Sequence, residues 1–284
     1  MTTPVDAAIA RAGPLASLPE VAMRVMQLAE NPDATGVELK AVLLNDPALC
    51  ARVLKIVNSA FYGARCEVTS IDTAIMVMGF GPIKSIAVAS SLTRMFRVGT
   101  LAGGFEVRDV WTHSIAVACA ARLVAERVGN VDPAAAFLAG LIHDIGIIVE
   151  LQACRAEFTS VIAAVAAQPT LSFRAAEQEI LGATHEAFGE ALCRTWRFPI
   201  ELQRVSGYHH RPLDLAADDR RLTSIVYVAD VLAAQSQLGY SRTVDTVVVD
   251  PQVGSLLGLS CHDLDALLHA LPSVVAETAP LYCD

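Results

Sequence analysis

What this 284-residue chain lacks narrows its possible roles before any motif is read. Its seven cysteines (Cys50, Cys66, Cys119, Cys154, Cys193, Cys261, Cys283) contain no Cys-x-x-Cys pair, which argues against both a disulfide framework and a cysteine zinc site. Reduced thiols and a cytoplasmic location are the expectation. There is no Lys/Arg run, and a net charge of −9 disfavours nonspecific contact with nucleic acid or an anionic membrane. The longest uncharged stretch, between Glu157 and Arg174, is interrupted by Ser160, Gln168 and Pro169 and falls short of a spanning helix. Membrane insertion is therefore not expected, although 54% of residues are hydrophobic and the mean hydropathy is +0.46. The first ten residues, MTTPVDAAIA, show no basic n-region or apolar h-region, so no secretory signal is expected. Internal repeats and low-complexity segments are missing too. Alternating strand-like runs are nearly absent, Val247 to Val249 being the brief exception.

Helix signals are abundant. Ser17-Leu18-Pro19-Glu20 and Thr35-Gly36-Val37-Glu38 have capping-box spacing. Asp46-Pro47 and Asp132-Pro133 each set an N-cap residue before a proline suited to the first helical position. Asn58-Ser59 favours local backbone hydrogen bonds that end the preceding helix. Apolar residues recur at helical spacing, as in Val21, Val25 and Leu28, or in Ile71, Ala74, Ile75 and Met78. An all-α fold follows. Glycines at 99, 103 and 104 mark a break, which divides the chain into helical subdomains at 1–104 and 105–284.

The most informative feature is a His-Asp doublet within an apolar run read as one helix: Leu141-Ile142-His143-Asp144-Ile145-Gly146. Between Ala134 and Val149 these are the only ionisable residues, and such groups are costly among apolar neighbours unless paired, hydrogen-bonded or metal-bound. Five of the seven histidines, His113, His143, His185, His209 and His210, lie between positions 113 and 210. Successive residues of a helix diverge by about 100°, so His143 and Asp144 can share a site only in a wedge between helices. His113 and Asp230, on helices expected over 111–127 and 222–237, could close it. Imidazole and carboxylate ligands suit Fe, Mn, Zn or Ni. A metal held there would acidify water and polarise a phosphoryl oxygen. The bland readings stay open beside this one. Each histidine taken alone reads as a core or cap residue, and His209-His210 as the end of a helix. His262 and His269, in a C-terminal helix that Ser260 could cap, read as surface or packing residues.

Taken together, several segments resemble the HDOD family, the HD-related output domain proteins of bacterial signalling, over about 14–212. They are Leu18-Pro19-Glu20, Asn45 to Leu49, Val57 to Ala60, Ala74-Ile75 with Met78-Gly79, Trp111 to Ser114, Ala139 to Gly146, Glu179 to His185, Trp196 to Pro199, and His209-His210. The resemblance implies an N-terminal helical bundle packed on an HD-like helical domain. It places the metal ligands of the wider HD superfamily at His113, His143, Asp144 and Asp230. His185, His209 and His210 match the additional histidines of HD-GYP enzymes, as second-metal or phosphate contacts. Two elements of those enzymes are missing. Ile147 stands where they have lysine, and Arg211-Pro212-Leu213 follows His209-His210 in place of a Gly-Tyr-Pro loop. The expected function is a regulatory module acting through contacts with signalling proteins, without turnover. The alternative is a metal-dependent phosphohydrolase acting on a nucleotide or cyclic dinucleotide. Nucleic-acid binding is the weakest reading.

Overall fold

The computed structural model describes residues 3–12, 20–31, 33–63, 67–96, 105–168 and 170–282, and these are helical with no strand. The expected capping box at Ser17 and the glycine break at 99–104 lie outside the described residues. The N-terminal half contributes α1 (Pro4–Ala12), α2 (Glu20–Glu30), α3 (Gly36–Leu43), α4 (Pro47–Val57), α5 (Ile71–Met78) and α6 (Phe80–Leu92). Its boundaries follow from side chains that satisfy the free N–H groups of each first turn. Thr35 and Glu38 form the reciprocal box at the start of α3, with Glu38 N donating to Thr35 Oγ1 at 3.3 Å and Thr35 N to Glu38 Oε2 at 2.8 Å. Asp46 accepts from Leu49 N at 3.0 Å with Pro47 opening α4. Asn58 ends α4 and reaches further than expected. Its amide donates to Val68 O at 2.8 Å and accepts from Val68 N at 2.8 Å, which staples the following loop to the helix end.

The second half contains α7 (Val107–Val128), α8 (Pro133–Ile142), α9 (Ile145–Ala153), α10 (Arg155–Ala167), α11 (Phe173–Ile180) and α12 (His185–Thr195). It continues with α13 (Ile200–Tyr208), α14 (Arg221–Gln235), α15 (Pro251–Leu257) and α16 (Cys261–Tyr282). α7 is central, with α8, α14 and α16 packed around it, while α12 lies across α9 and α13. The halves meet through α6 on α8, and α1 lies against α9 and α12. One continuous apolar core includes Ala8, Val53, Ile86, Phe137, Phe188 and Tyr282. Ser260 caps α16 as expected, and His262 and His269 are exposed on it.

The run Pro133–Ala153, with a mean hydropathy of 1.8, is long and apolar enough to cross a membrane by length and composition, yet 89% of its most apolar window is buried inside the protein. It is also not one helix, which corrects the expectation of a doublet inside a helix. α8 stops at Ile142 and α9 starts at Ile145; Asp144 at the joint has φ −94° and ψ 17°, outside the helical well. The joint turns the chain enough for adjacent side chains to point into one wedge.

Glycine lets this joint be packed closely. A β-carbon on Gly140 would lie 2.8 Å from Val117 O, and one on Gly146 would overlap the His185 carbonyl oxygen and approach Gly189 N at 2.7 Å. In both cases the obstacle is backbone, which cannot swing aside as a side chain can. Gly146→Ala should therefore destabilise the fold by about 1–3 kcal/mol or more. A shift of the urea midpoint with an unchanged m-value checks this.

Candidate metal centre

Five stretches of chain deliver the titratable side chains to one buried point. The α8–α9 joint supplies His143 and Asp144, and α7 supplies His113. α12 opens with His185, His209 caps the end of α13 and is followed by His210, and α14 supplies Asp230. Asp144 and Asp230 are 1% exposed, and His113, His143, His185 and His209 are 0% exposed. The local detail at Asp144 is telling. Aspartate at an N-cap ordinarily accepts from the first-turn N–H groups, but Asp144 heads α9 with no such bond. Its carboxylate is turned inward instead. Oδ2 faces His143 Nε2 at 3.3 Å, and Oδ1 faces His185 Nε2 and His209 Nε2, each at 3.3 Å. Asp230 Oδ1 meets His113 Nε2 at 2.9 Å and His143 Nε2 at 3.8 Å, while its Oδ2 is 3.6 Å from His210 Nδ1. His185 Nε2 and His210 Nε2 are 3.1 Å apart.

The outer nitrogens of four rings face acceptors. His143 Nδ1 lies 2.7 Å from Gly140 O, His113 Nδ1 3.4 Å from Leu238 O, and His209 Nδ1 3.2 Å from both Val205 O and Ser206 O. His185 Nδ1 lies 2.9 Å from both carboxylate oxygens of Glu177. An acceptor at Nδ1 fixes the ring proton there and leaves a lone pair on Nε2. Those lone pairs then point at carboxylate oxygens, an arrangement that repels unless a cation or a proton lies between. Among buried polar atoms, His143 Nε2, His209 Nε2 and both Asp144 oxygens have no hydrogen-bond partner. Candidate ligand atoms lie within 4.8 Å of one another in three sets: His113, His143 and Asp144; His143, His209 and Asp230; and Asp144, His185, His209 and His210. This cluster has the donor set, burial and outer hydrogen bonds that a divalent transition metal needs.

Without a metal, protons must fill that role. For His185, burial opposes charge, but the carboxylates of Glu177 and Asp144 outweigh it and push the ring up to about 9. For His143, burial is likewise outweighed, chiefly by Asp144, and the ring titrates above its usual value. Asp144 is held well below the usual carboxylate range, because its imidazole neighbours, His143 first and then His185, overcome the cost of its burial. His210 is driven well below the ordinary histidine value by burial and by its neighbours His209 and His185.

All seven expected site residues are thus brought together. Three buried glutamates around them were not foreseen. Glu177, on α11, also accepts from the His185 backbone N at 3.2 Å. Glu150, on α9 just beyond the run Ala134 to Val149, is wholly buried; burial and then the charge of Glu177 push its carboxyl well above the usual range. Glu186 is held by Arg174 at 2.6 Å and by Arg211 at 3.3 Å. In sequence, Glu177 and Glu179 look alike on a polar helix, and only the packing shows which of them is buried. A cleft of about 190 Å³, lined by His210, Tyr227, Asp230 and Asp245 among others, reaches the cluster from outside. Ser172 Oγ donates to Asp245 Oδ1 at 2.5 Å, and Arg174 pairs with its other oxygen at 3.3 Å.

The family model of the HDOD domain matches residues 15–212. The chain belongs to the HDOD family. Solved HDOD-like structures share its architecture. An HDOD domain protein of unknown function from Geobacter sulfurreducens superposes with a TM-score of 0.79 at 25% identity, covering 93% of this chain and 92% of that one. A candidate phosphohydrolase from Shewanella amazonensis SB2B gives 0.74 at 25% identity, covering 97% and 98%. A candidate signal transduction protein from Marinobacter aquaeolei VT8 gives 0.76 at 25% identity, covering 94% of this chain and 60% of that one. A Treponema pallidum protein of no assigned role is 23% identical over 232 residues; the match takes in 81% of this HDOD chain and 44% of that relative, so the chain spans less than half of its length.

The raised histidines make the stability of the metal-free HDOD protein depend on pH. A ring that titrates near 9 when folded and near 6.5 when unfolded contributes stability that is complete below pH 6.5 and lost as pH rises to about 9. For His185 alone the difference is on the order of 3 kcal/mol. Metal-stripped protein should show a falling denaturation midpoint across that window, and a flat profile would contradict a protonated cluster.

Proposed function

We propose that this HDOD chain is a regulatory module that holds divalent transition metal in its buried cluster and signals by contact with other proteins, with little or no turnover. The observation that carries the metal is Asp144: a fully enclosed carboxylate without a hydrogen-bond partner, each of whose oxygens lies 3.3 Å from an imidazole Nε2. The proposed ligands form two positions that share Asp144. His113, His143, Asp144 and Asp230 would make the first, and Asp144, His185, His209 and His210 the second. The nitrogen and oxygen donors suit Fe, Mn, Zn or Ni. Bound there, such an ion would be able to polarise a phosphoryl oxygen and acidify water.

Three features favour regulation over turnover. The cleft of about 190 Å³ is smaller than the ~300–1,000 Å³ typical of sites for drug-sized ligands. Ile147, where HD-GYP enzymes have lysine, is packed into the core at 1% exposure, so this position presents no cation to a phosphate. Pro212 is buried in a short 3-10 turn over Pro212–Asp214 where a Gly-Tyr-Pro loop would stand. For protein contact, α3 and α5 offer a surface. Gly36 packs against Ile75, and the next residues, Val37 and Met76, are 75% and 82% exposed. Apolar side chains left in water this way on adjacent helices are commonly interaction surface.

A second reading is a phosphohydrolase for small phosphoesters. It is favoured by the placement of His210 and Asp230 on the cleft of about 190 Å³ and by the designation of the Shewanella protein.

Elemental analysis of anaerobically purified protein should find bound transition metal, and Asp144→Asn, which keeps the shape but removes the shared charge, should lose at least tenfold in affinity at both positions. Hydrolysis of bis-p-nitrophenyl phosphate, nucleotides and cyclic dinucleotides should not rise above that of the His143→Ala variant. Robust metal-dependent turnover abolished by His143→Ala would replace the regulatory reading with the enzymatic one.

A further inference from the structure

The rings of the cluster are not braced alike. His113, His143 and His209 turn Nδ1 toward backbone carbonyls, which are neutral; those of Gly140 and Val205 are fixed by the helices that carry them. His185 alone among them leans on a carboxylate, with both Glu177 oxygens at 2.9 Å from Nδ1. Glu177 comes from a different helix, α11, and is 0% exposed. Burying a carboxylate is strongly unfavourable unless it is compensated. The nearest cation on its own helix, Arg174, is committed to Glu186 and Asp245 instead. The compensation Glu177 receives is the His185 ring and backbone N–H.

A plain helix cap does not explain this arrangement. Capping α12 needs one acceptor for a backbone N–H, which a neutral side chain supplies without burying a charge. The second oxygen and the paired contact with Nδ1 serve the ring. A carboxylate accepting from Nδ1–H draws that proton toward itself and raises electron density on Nε2, more than a carbonyl does. Nε2 of His185 faces the second position, toward Asp144 and His210.

We infer that Glu177 is the positioning residue of the second metal position: it sets the tautomer and donor strength of His185 and so separates the affinity of that position from the first. The inference rests on the two-position reading above. It predicts unequal dependence. Glu177→Gln, which retains an acceptor for Nδ1–H but loses the charge, should weaken one of two equivalents of metal about 10- to 100-fold and leave the other unchanged.

The test is a competition titration of metal-free wild-type and Glu177→Gln protein with Zn2+ against a chelating indicator, with thermal melts to compare folding. Long-range 1H–15N correlation spectra of histidine-labelled, Zn2+-loaded protein give a readout independent of affinity. In the wild type, the His185 Nδ1–H signal should stand furthest downfield. In the variant it should move upfield while those of His113, His143 and His209 stay in place. Two equivalents in wild type with one selectively weakened in the variant supports the inference. No uptake by wild type overturns the metal reading itself, and a single equivalent overturns the two-position assignment and this inference with it. Two unchanged equivalents in the variant, or equal weakening of both, removes Glu177 from the role. Should the variant fail to fold, the wild-type spectrum still decides, because a His185 ring without a proton on Nδ1 contradicts the proposal.

Discussion

A carboxylate removed from water needs positive charge or donated hydrogen bonds close by, since its uncompensated burial costs several kcal/mol. Asp144 is in that position, fully enclosed, and it has forgone the first-turn N–H groups of α9 that would ordinarily satisfy it. Its compensation comes from the imidazole beside it and from imidazoles on two other stretches of chain, at the start of α12 and the end of α13. Because those imidazoles are braced in turn by carbonyls and by Glu177, one buried charge fixes the relative placement of α8, α9, α11, α12 and α13. Asp230 does the same for α7 and α14 through His113.

Helix packing and cluster chemistry therefore constrain each other. The donors converge only if α9 and α12 approach to backbone contact, which Gly146 and Gly189 permit. That approach puts the His185 carbonyl against Gly146 and its ring against Asp144. On the other side, Gly140 sits directly on the α7 backbone at Val117 and Ala118, bringing His143 alongside His113. A larger residue at Gly140 or Gly146 would press on backbone and push these helices apart, so the sequence has little freedom there for reasons of distance alone.

Much of this is legible in the sequence, because caps and metal-type ligands leave local marks. Thr35 with Glu38, and Asp46 with Pro47, name their helices within four residues, and the seven cluster residues stood out as ionisable groups in apolar company or as matches to the family pattern. What was illegible depends on which face of a helix is covered. Glu177 sits on a short helix with charges on several sides, and its burial is decided by α12 and the cluster, not by its own neighbours in sequence. The joint at His143-Asp144 was hidden for a related reason. Its residues are as apolar on both sides as a continuous helix would be, and the turn is imposed by the wedge that the doublet must reach.

The same geometry bears on regulation. A ligand shifts a conformational equilibrium only by its differential affinity for the two states, and a metal held by side chains from α7, α8, α9, α12, α13 and α14 distinguishes sharply between arrangements in which those elements converge and those in which they do not. In the metal-bound reading, binding and the packing of the second half are one free-energy term. The N-terminal half touches that term at two places, α6 on α8 and α1 on α9 and α12. α6 also carries α3 and α5, whose exposed Val37 and Met76 form the proposed contact surface. In the regulatory reading, then, a change in metal loading reaches the partner surface through a single intervening helix. Phosphoester turnover would require the cleft by His210 to admit substrate, whereas this route works with the cluster closed.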